Sequence, residues 1–210
     1  MKKVLLVDDH QVVRDGLKTI ILEQGIAGEF GEATTAGDAV RVAATQRWDL
    51  AVVDISLAGR NGLELVRELR QAHPQMPVLV LSMHSEEQYA KRAFRAGAAG
   101  YITKDSSRVE LAGAMAKVMG GGRYVSPALA ERLAVDLSEE TDRPPHQGLS
   151  DREFEVMCLL GAGKSVGQIA GLLSLSDKTI STYRARILQK MHLETSAEIV
   201  RYVIENKLTE

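Results

Sequence analysis

Residues 4–9, Val-Leu-Leu-Val-Asp-Asp, form a short apolar run that ends in two carboxylates, and related runs return further along the chain. Residues 50–54 (Leu-Ala-Val-Val-Asp) and 78–82 (Val-Leu-Val-Leu-Ser) are also apolar and also end in a polar side chain. Uninterrupted runs of Val, Leu and Ile are typical of strands in a parallel sheet that is covered on both faces. A weaker run at 98–102 and a weaker fifth candidate around 28–32 complete a set of five predicted strands.

Segments with helical spacing separate these runs. Leu63, Val66 and Leu69 recur every three residues, and glycines such as Gly97 follow the periodic stretches as helix stops do. The second of these helices is expected over Ala36–Gln46. Five strand–helix units within about 120 residues predict an α/β fold with a doubly wound parallel sheet.

The rest of the chain has a different pattern. A short helix is expected over Pro127–Val135, followed by a polar stretch with two prolines that is typical of a linker. Beyond it the pattern is helical throughout, with no strand candidate. We therefore expect a first domain over residues 1–121, a linker over 122–147 and a small all-α domain over 148–210.

Composition excludes several classes of protein. Of the 210 residues 45% are hydrophobic and 26% charged, as in ordinary globular chains. No apolar run reaches the roughly 18–20 residues that cross a bilayer, and the N-terminus does not resemble a signal peptide. Cys158 is the single cysteine, which rules out an intrachain disulfide or a zinc cluster built on cysteines. These features predict a cytoplasmic protein without a membrane association.

Polar side chains follow four of the five predicted strands. Asp8 and Asp9 follow the first strand, Asp54 the third, Ser82 the fourth and Lys104 the fifth. Ligands of an open parallel sheet bind beyond the carboxyl ends of its strands, so we expect these groups to meet there. Three carboxylates suit a hard cation such as Mg²⁺, beside which Asp54 could accept a phosphoryl group. A single Asp at a strand end is more often a helix cap, and Asp9 in particular could cap the next helix.

The residues around these strand ends resemble the receiver domain of two-component response regulators. The resemblance rests on residues 7–10, 52–56, 81–84, 96–101 and 103–104, and it covers essentially all of residues 1–121. It implies a flavodoxin-like sheet of order 2-1-3-4-5 with Asp54 as phospho-acceptor. The other implied roles are Mg²⁺ binding by Asp8, Asp9, Asp54 and the Ser56 carbonyl, switching by Ser82 and Tyr101, and phosphate pairing by Lys104.

One departure from the family is visible after Asp54. Leu57 and Ala58 stand where the family usually has Met-Pro, which leaves the loop freer. Ser56 and His84 lie two residues past Asp54 and Ser82, and we hypothesise that they tune the lifetime of the phosphoryl group.

The helical tail has a pattern of caps and turns. Ser150 and Glu153 predict a capping box, and Ser174–Ser176 predicts a turn before a helix over Asp177–Met191. One side of that helix is apolar, and the other carries small, hydroxyl, amide and cationic side chains that suit a major groove. The predicted DNA-binding residues are Lys178, Thr179, Ser181, Thr182, Arg184, Ala185, Arg186, Gln189 and Lys190.

The tail resembles a LuxR-type helix-turn-helix, and the whole chain is similar to response regulators of the NarL/FixJ class. Many relatives carry a basic residue where Ser181 or Ala185 stands, which suggests modest affinity per subunit. The final helix, about Ser196–Asn206, would pack on the first tail helix or form a dimer contact.

The resemblance implies a transcription regulator that a sensor histidine kinase phosphorylates on Asp54 and that then binds promoter DNA as a homodimer. It would be no enzyme beyond self-catalysed phosphoryl transfer and hydrolysis at Asp54. One alternative is a phosphatase with an aspartyl nucleophile, although Ser56 stands where that class needs a second Asp. A second is a protein-binding relay, which the balanced tail charge of eight cations and eight acids over residues 149–210 favours.

Overall fold

The computed structural model describes residues 1–57, 59–131 and 144–208. The chain divides into two compact units, Met1–Asp136 and Leu137–Glu210. The helix predicted over Pro127–Val135 is helical at 127–131, and its remaining residues lie outside the described ranges. The domain limits at 121 and 148 stay predictions.

The first unit is built on a five-stranded sheet in which every strand pair is parallel. Its order is β2-β1-β3-β4-β5, which confirms the predicted doubly wound sheet. The strands are β1 (Lys3–Val7), β2 (Glu29–Ala33), β3 (Leu50–Asp54), β4 (Val78–Ser82) and β5 (Gly100–Thr103). Strand β5 begins later than predicted because Gly97, with φ 101°, and Ala98 close the preceding helix instead of joining the sheet.

A helix follows each strand. These helices are α1 (Gln11–Glu23), α2 (Ala36–Ala43), α3 (Gly62–Ala72), α4 (Glu86–Ala96) and α5 (Arg108–Met119). The prediction that α2 continues to Gln46 is wrong. The hydroxyl of Thr45 donates to the carbonyl of Val42 at 2.8 Å, and this contact accompanies a turn that ends the helix.

The sheet is covered on both faces, as its apolar strands require. Every residue of β3 and β4 is buried, and Leu50, Val52 and Leu79 pack with Leu17 and Met115 from α1 and α5. Full burial of one such side chain stabilises the fold by about 1.5–3 kcal/mol. Because all five strands run the same way, the polar residues that end them lie along one edge of this core.

The second unit contains four α-helices among its described residues. These helices are α6 (Asp151–Gly161), α7 (Val166–Leu173), α8 (Asp177–Met191) and α9 (Ser196–Glu205), preceded by a 3-10 turn at Pro145–Gly148. Their first turns are capped by the hydroxyls of Ser150, Ser165, Ser176 and Thr195. The predicted caps at Ser150 and Ser176 are thus confirmed.

Within the described ranges, none of the helices combines the length and apolar character that crossing a membrane would require.

Candidate functional site

The parallel sheet brings the predicted acids and the lysine to one edge of the first unit. Asp54 is the last residue of β3, and Asp8 follows β1 directly. Lys104 follows β5, and its main-chain N–H donates to the carbonyl of Ser82 at 2.8 Å. Asp8 and Asp54 are each only 2% exposed. Residues separated by up to 96 positions therefore meet in one buried cluster.

The Lys104 ammonium lies between the carboxylates of Asp8 and Asp54. Its Nζ donates to Oδ2 of Asp8 and to Oδ2 of Asp54, each at 2.7 Å. Two buried carboxylates side by side repel each other, and the ammonium compensates this charge.

Burial and this ion pair act in opposite directions on the pKa values of the cluster. Burial raises the pKa of the Asp54 carboxyl above its usual value, against the opposing hydrogen bond and charge of Lys104. For Lys104, burial disfavours the ammonium, but the hydrogen bonds and charges of Asp54 and Asp8 outweigh it and raise the pKa. Lys104 is therefore a fixed positive charge beside the candidate phospho-acceptor.

The carboxylate of Asp9 completes an acidic cluster that could hold a metal ion. One ligand atom from each of Asp8, Asp9, His10 and Asp54 lies within 4.8 Å of all the others. Asp9 Oδ1 is buried but accepts no hydrogen bond from a described residue, although His10 Nδ1 lies 2.8 Å away. The position that caps α1 belongs to His10, so the alternative role of Asp9 as a helix cap is wrong. Carboxylate oxygens this close together fit a hard divalent cation.

The two predicted switch residues, Ser82 and Tyr101, both bind the main chain of His84. The Ser82 hydroxyl accepts from the N–H of His84 at 3.0 Å, and the Tyr101 hydroxyl donates to its carbonyl at 2.7 Å. Ser82 and Tyr101 are completely buried. The Tyr101 side chain therefore already lies in an inward position in this structure.

The side chain of His84 also reaches back to the loop after Asp54. Its Nε2 lies 3.2 Å from the Ser56 hydroxyl, and its ring stacks on Tyr89 with the centroids 4.4 Å apart. The Ser56 N–H donates to Asp54 Oδ1 at 3.1 Å. Ser56 and His84 are thus joined next to the candidate phospho-acceptor, and the metal-binding role of the Ser56 carbonyl stays a prediction.

The structure places one further residue, Arg14, beside this acidic cluster, and the sequence analysis did not identify it. Its guanidinium donates to the carbonyl of Asp8 at 2.8 Å. A cation in the first turn of a helix is unfavourable next to the positive end of the helix dipole. That unusual position is the signal in the sequence by which Arg14 could have been found.

The second unit has the geometry of a helix-turn-helix. The two helices α7 and α8 are joined by Ser174, Leu175 and Ser176. Ser174 takes a left-handed conformation, with φ 53°, that ends α7. The Ser176 hydroxyl then accepts from the N–H of Thr179 and starts α8. Ile180, Ile187 and Met191 are buried, as the predicted apolar side requires.

The polar side of α8 is largely open to solvent. Lys178, Thr182, Ala185, Arg186 and Gln189 are exposed, whereas Thr179, Ser181 and Arg184 are half-buried. Lys190 is also exposed, but its Nζ donates to Glu153 Oε2 in α6 at 2.7 Å. A contact between Lys190 and a phosphate would therefore compete with an existing ion pair. The roles of all nine residues on DNA stay predictions.

The last helix, α9, has both a packed side and an exposed apolar residue. Ile199 and Val203 are fully buried. A Cβ atom on Gly161 would lie 2.2 Å from Val203, so α6 and α9 approach closely at this glycine. Ile204 is 59% exposed. Packing against α6 thus buries part of the apolar face of α9 but leaves Ile204 exposed.

Two protein-family models match the chain. Residues 4–116 match the response regulator receiver domain, and residues 147–203 match the luxR family of bacterial regulatory proteins. The response regulator UvrY of Escherichia coli K12 is 32% identical over 209 residues, which cover 99% of this chain and 96% of UvrY. The response regulator GacA of Pseudomonas aeruginosa is 31% identical over 211 residues, which cover 100% of this chain and 99% of GacA.

Solved structures show the same folds. A LuxR-family two-component response regulator from Aurantimonas sp. SI85-9A1 is 35% identical with a TM-score of 0.58, covering 65% of this chain and 98% of that one. RcsB from Salmonella enterica serovar Typhimurium, bound to promoter rprA, is 20% identical with a TM-score of 0.58. That match covers 97% of this chain and 98% of RcsB, and it supports the fold alone.

Proposed function

Since the chain belongs to the response regulators, with a receiver domain followed by a luxR-family domain, we propose that it is a transcription regulator whose binding to promoter DNA depends on phosphorylation of Asp54. Phosphorylation adds nearly two negative charges at this side chain. The chemistry is limited to the chain's own Asp54, and no separate substrate is turned over. A regulator that binds promoter DNA would act in the cytoplasm.

The cluster of Lys104 with Asp8, Asp9 and Asp54 carries this proposal. Asp8, Asp9, Asp54 and the Ser56 carbonyl would hold Mg²⁺, which when bound would neutralise charge on a phosphoryl group. An Asp54 carboxylate oxygen would attack the phosphorus of a phosphohistidine, and the bond from phosphorus to the donor nitrogen would break. Lys104 lies 2.7 Å from Asp54 Oδ2, so its ammonium would pair with a phosphoryl oxygen as the negative charge grows.

Exposed apolar side chains around the same edge support a sensor histidine kinase as the phosphoryl donor. Met83 follows β4, and Val12 and Val109 are the second residues of α1 and α5; Val12, Met83 and Val109 are 84%, 67% and 79% exposed. All three residues lie in segments that follow the carboxyl ends of strands, where a partner that reaches Asp54 would make contact. A kinase domain that delivers its phosphohistidine to Asp54 would cover this edge.

The hydrogen bonds of the His84 main chain could couple a change at Asp54 to Ser82 and Tyr101. A phosphoryl group on Asp54 would attract the Ser82 hydroxyl, which now accepts from the His84 N–H. Breaking that contact would alter the His84 main chain, to which Tyr101 donates. Tyr101 is already buried, so phosphorylation would stabilise an arrangement that the chain can adopt without it.

The exposed polar side of α8 would enter the major groove. Lys178 and Arg186 would contact phosphates or base edges, and the small side chain of Ala185 would permit close approach. The balanced charge of the tail limits affinity per subunit. A homodimer would combine two such helices on one promoter, and the exposed Ile204 on α9 is a suitable contact for it.

The test combines phosphorylation with DNA retention. Wild type and Asp54→Asn would be treated with acetyl phosphate and Mg²⁺, the label located by mass spectrometry, and promoter DNA retention measured over a range of salt. We expect the label on Asp54 alone, with DNA retention that rises on phosphorylation and falls with salt. A label elsewhere would remove Asp54 as acceptor. A labelled Asp54 without salt-sensitive DNA retention would favour the protein-binding relay.

A further inference from the structure

The guanidinium of Arg14 connects the ends of two strands to the start of α1. Arg14 lies in the first turn of α1 and is only 8% exposed. Its Nη1 donates to the carbonyl of Asp8 at 2.8 Å, and its Nε donates to Oε2 of Glu32, in β2, at 2.9 Å. A buried cation is stable only when it is paired and hydrogen-bonded, and these two acceptors meet that need.

Glu32 provides a charged anchor for Arg14. Its second oxygen, Oε1, accepts from Lys18 Nζ at 2.8 Å. The hydrogen bond from Lys18, followed by that from Arg14, holds the pKa of Glu32 below its usual value, so the carboxylate stays ionised at neutral pH. Lys18 contacts the same Glu32, but it makes no contact with Asp8 in the described structure. Arg14 and Lys18 therefore both bind Glu32, but Arg14 also binds the Asp8 carbonyl.

The start of α1 has no side-chain cap in the described structure, and among the helices of the first unit the same holds for α4. In the first unit, α2, α3 and α5 are capped by Thr35, Asn61 and Ser107. At α1 the capping position is His10, whose side chain makes no capping bond. Instead the N–H of His10 donates to Asp8 Oδ1 at 2.8 Å, while Arg14 holds the Asp8 carbonyl.

We propose that Arg14 is a positioning residue that orients Asp8 and Asp9 toward a bound divalent cation. The two acids are consecutive, so the direction of the Asp9 carboxylate is set by the main chain between Asp8 and His10. Arg14 fixes the carbonyl in that segment without reaching the cation itself. The inference rests on the proposed cation site and assigns to this arginine a share of the site's affinity.

The test measures cation affinity directly, without a phosphoryl donor. Mn²⁺ would be titrated into the full-length protein, and the unbound ion would be counted by electron paramagnetic resonance. Loss of a residue that orients metal ligands typically weakens affinity 10- to 100-fold, so we expect roughly that loss in Arg14→Met. Lys18→Met is the matched control and should stay within about twofold, because Lys18 shares the Glu32 anchor but does not contact Asp8 in the described structure.

A second variant covers the case in which Arg14→Met fails to fold. Arg14→Lys keeps the charge but cannot span two acceptors with a planar fork, and we expect a loss of about tenfold. The inference is overturned if a folded Arg14 variant binds Mn²⁺ within twofold of wild type, or if Lys18→Met loses as much as Arg14→Met. A wild-type protein that binds no Mn²⁺ would remove the proposed cation site as well, so the two failures are distinguishable.

Discussion

Replacing Gly62 with alanine should displace the backbone that carries Asp54. Gly62 is the first residue of α3, and its N–H donates to the carbonyl of Ile55 at 2.8 Å. A Cβ atom there would lie 2.2 Å from the carbonyl oxygen of Asp54 and 2.7 Å from Cα of Ile55. Ordinary contact begins near 3.4 Å, so the Asp54 oxygen and the new methyl group must separate by 1.2 Å (3.4 − 2.2).

The size of the effect follows from which atoms collide. The carbonyl oxygen of Asp54 and Cα of Ile55 are backbone atoms at a buried strand end, so they cannot rotate away as the tip of a long side chain could. Overpacking of a closed core costs about 1–3 kcal/mol, and weakening the buried hydrogen bond to Ile55 costs about 1 kcal/mol more. We therefore expect Gly62→Ala to lower the free energy of unfolding of the first unit by about 3 kcal/mol.

Trp48 provides the assay because it is the single tryptophan, is 4% exposed and lies in the first unit. Its fluorescence during urea denaturation should show a midpoint lowered by roughly 1–3 M in Gly62→Ala. Gly16→Ala, within α1, is the matched control, since a Cβ there has open space. It should stabilise the unit by about 0.5–1 kcal/mol. Equal midpoints for the two variants would refute the reasoning from close approach.

The remaining predictions concern the tail and the loop beside Asp54. Burial opposes ionisation of Glu153, but hydrogen bonds from Lys190 and Ser150 outweigh it and lower its pKa. The ion pair therefore contributes its full stability when the pH is above the usual pKa of a glutamate. This contribution is lost as the pH falls through the lower pKa that Glu153 has in the folded protein. Lys190→Met should therefore speed amide hydrogen exchange in α6 at pH 7, by an amount equivalent to a loss of about 0.5–1 kcal/mol in stability. The effect should be smaller below about pH 4, and an equal effect at both pH values would contradict this prediction. His84→Ala removes the ring next to Ser56 and should change the autodephosphorylation rate of phosphorylated Asp54, measured by the decay of labelled protein. An unchanged rate would end the hypothesis that this pair tunes the phosphoryl lifetime.

The sequence determined those features that depend on neighbouring residues. Apolar runs predicted β1, β3, β4 and, less clearly, β5, because a strand buried on both faces needs continuous apolar side chains. Strand β2 (Glu-Phe-Gly-Glu-Ala) has no such run and was the weakest of the five candidates. Ser150 and Ser176 predicted two helix starts, because a cap bonds within its own turn. The end of α2 was predicted wrongly, because the contact of Thr45 with Val42 competes with helical periodicity at that point.

Only the tertiary structure decided how the site is connected. The strand ends predicted that Asp8 and Lys104 share one edge of the sheet, but not that the Lys104 ammonium bridges Asp8 and Asp54. Lys190 lies 37 residues from Glu153, and no local pattern specifies that these two meet. The ion pair between Arg14 and Glu32 likewise requires that β2 pairs with β1, because this pairing brings Glu32 beside the end of the first strand. Periodicity reports which side of an element is buried, whereas the partner of a charged group is set by the order and register in which the elements pack.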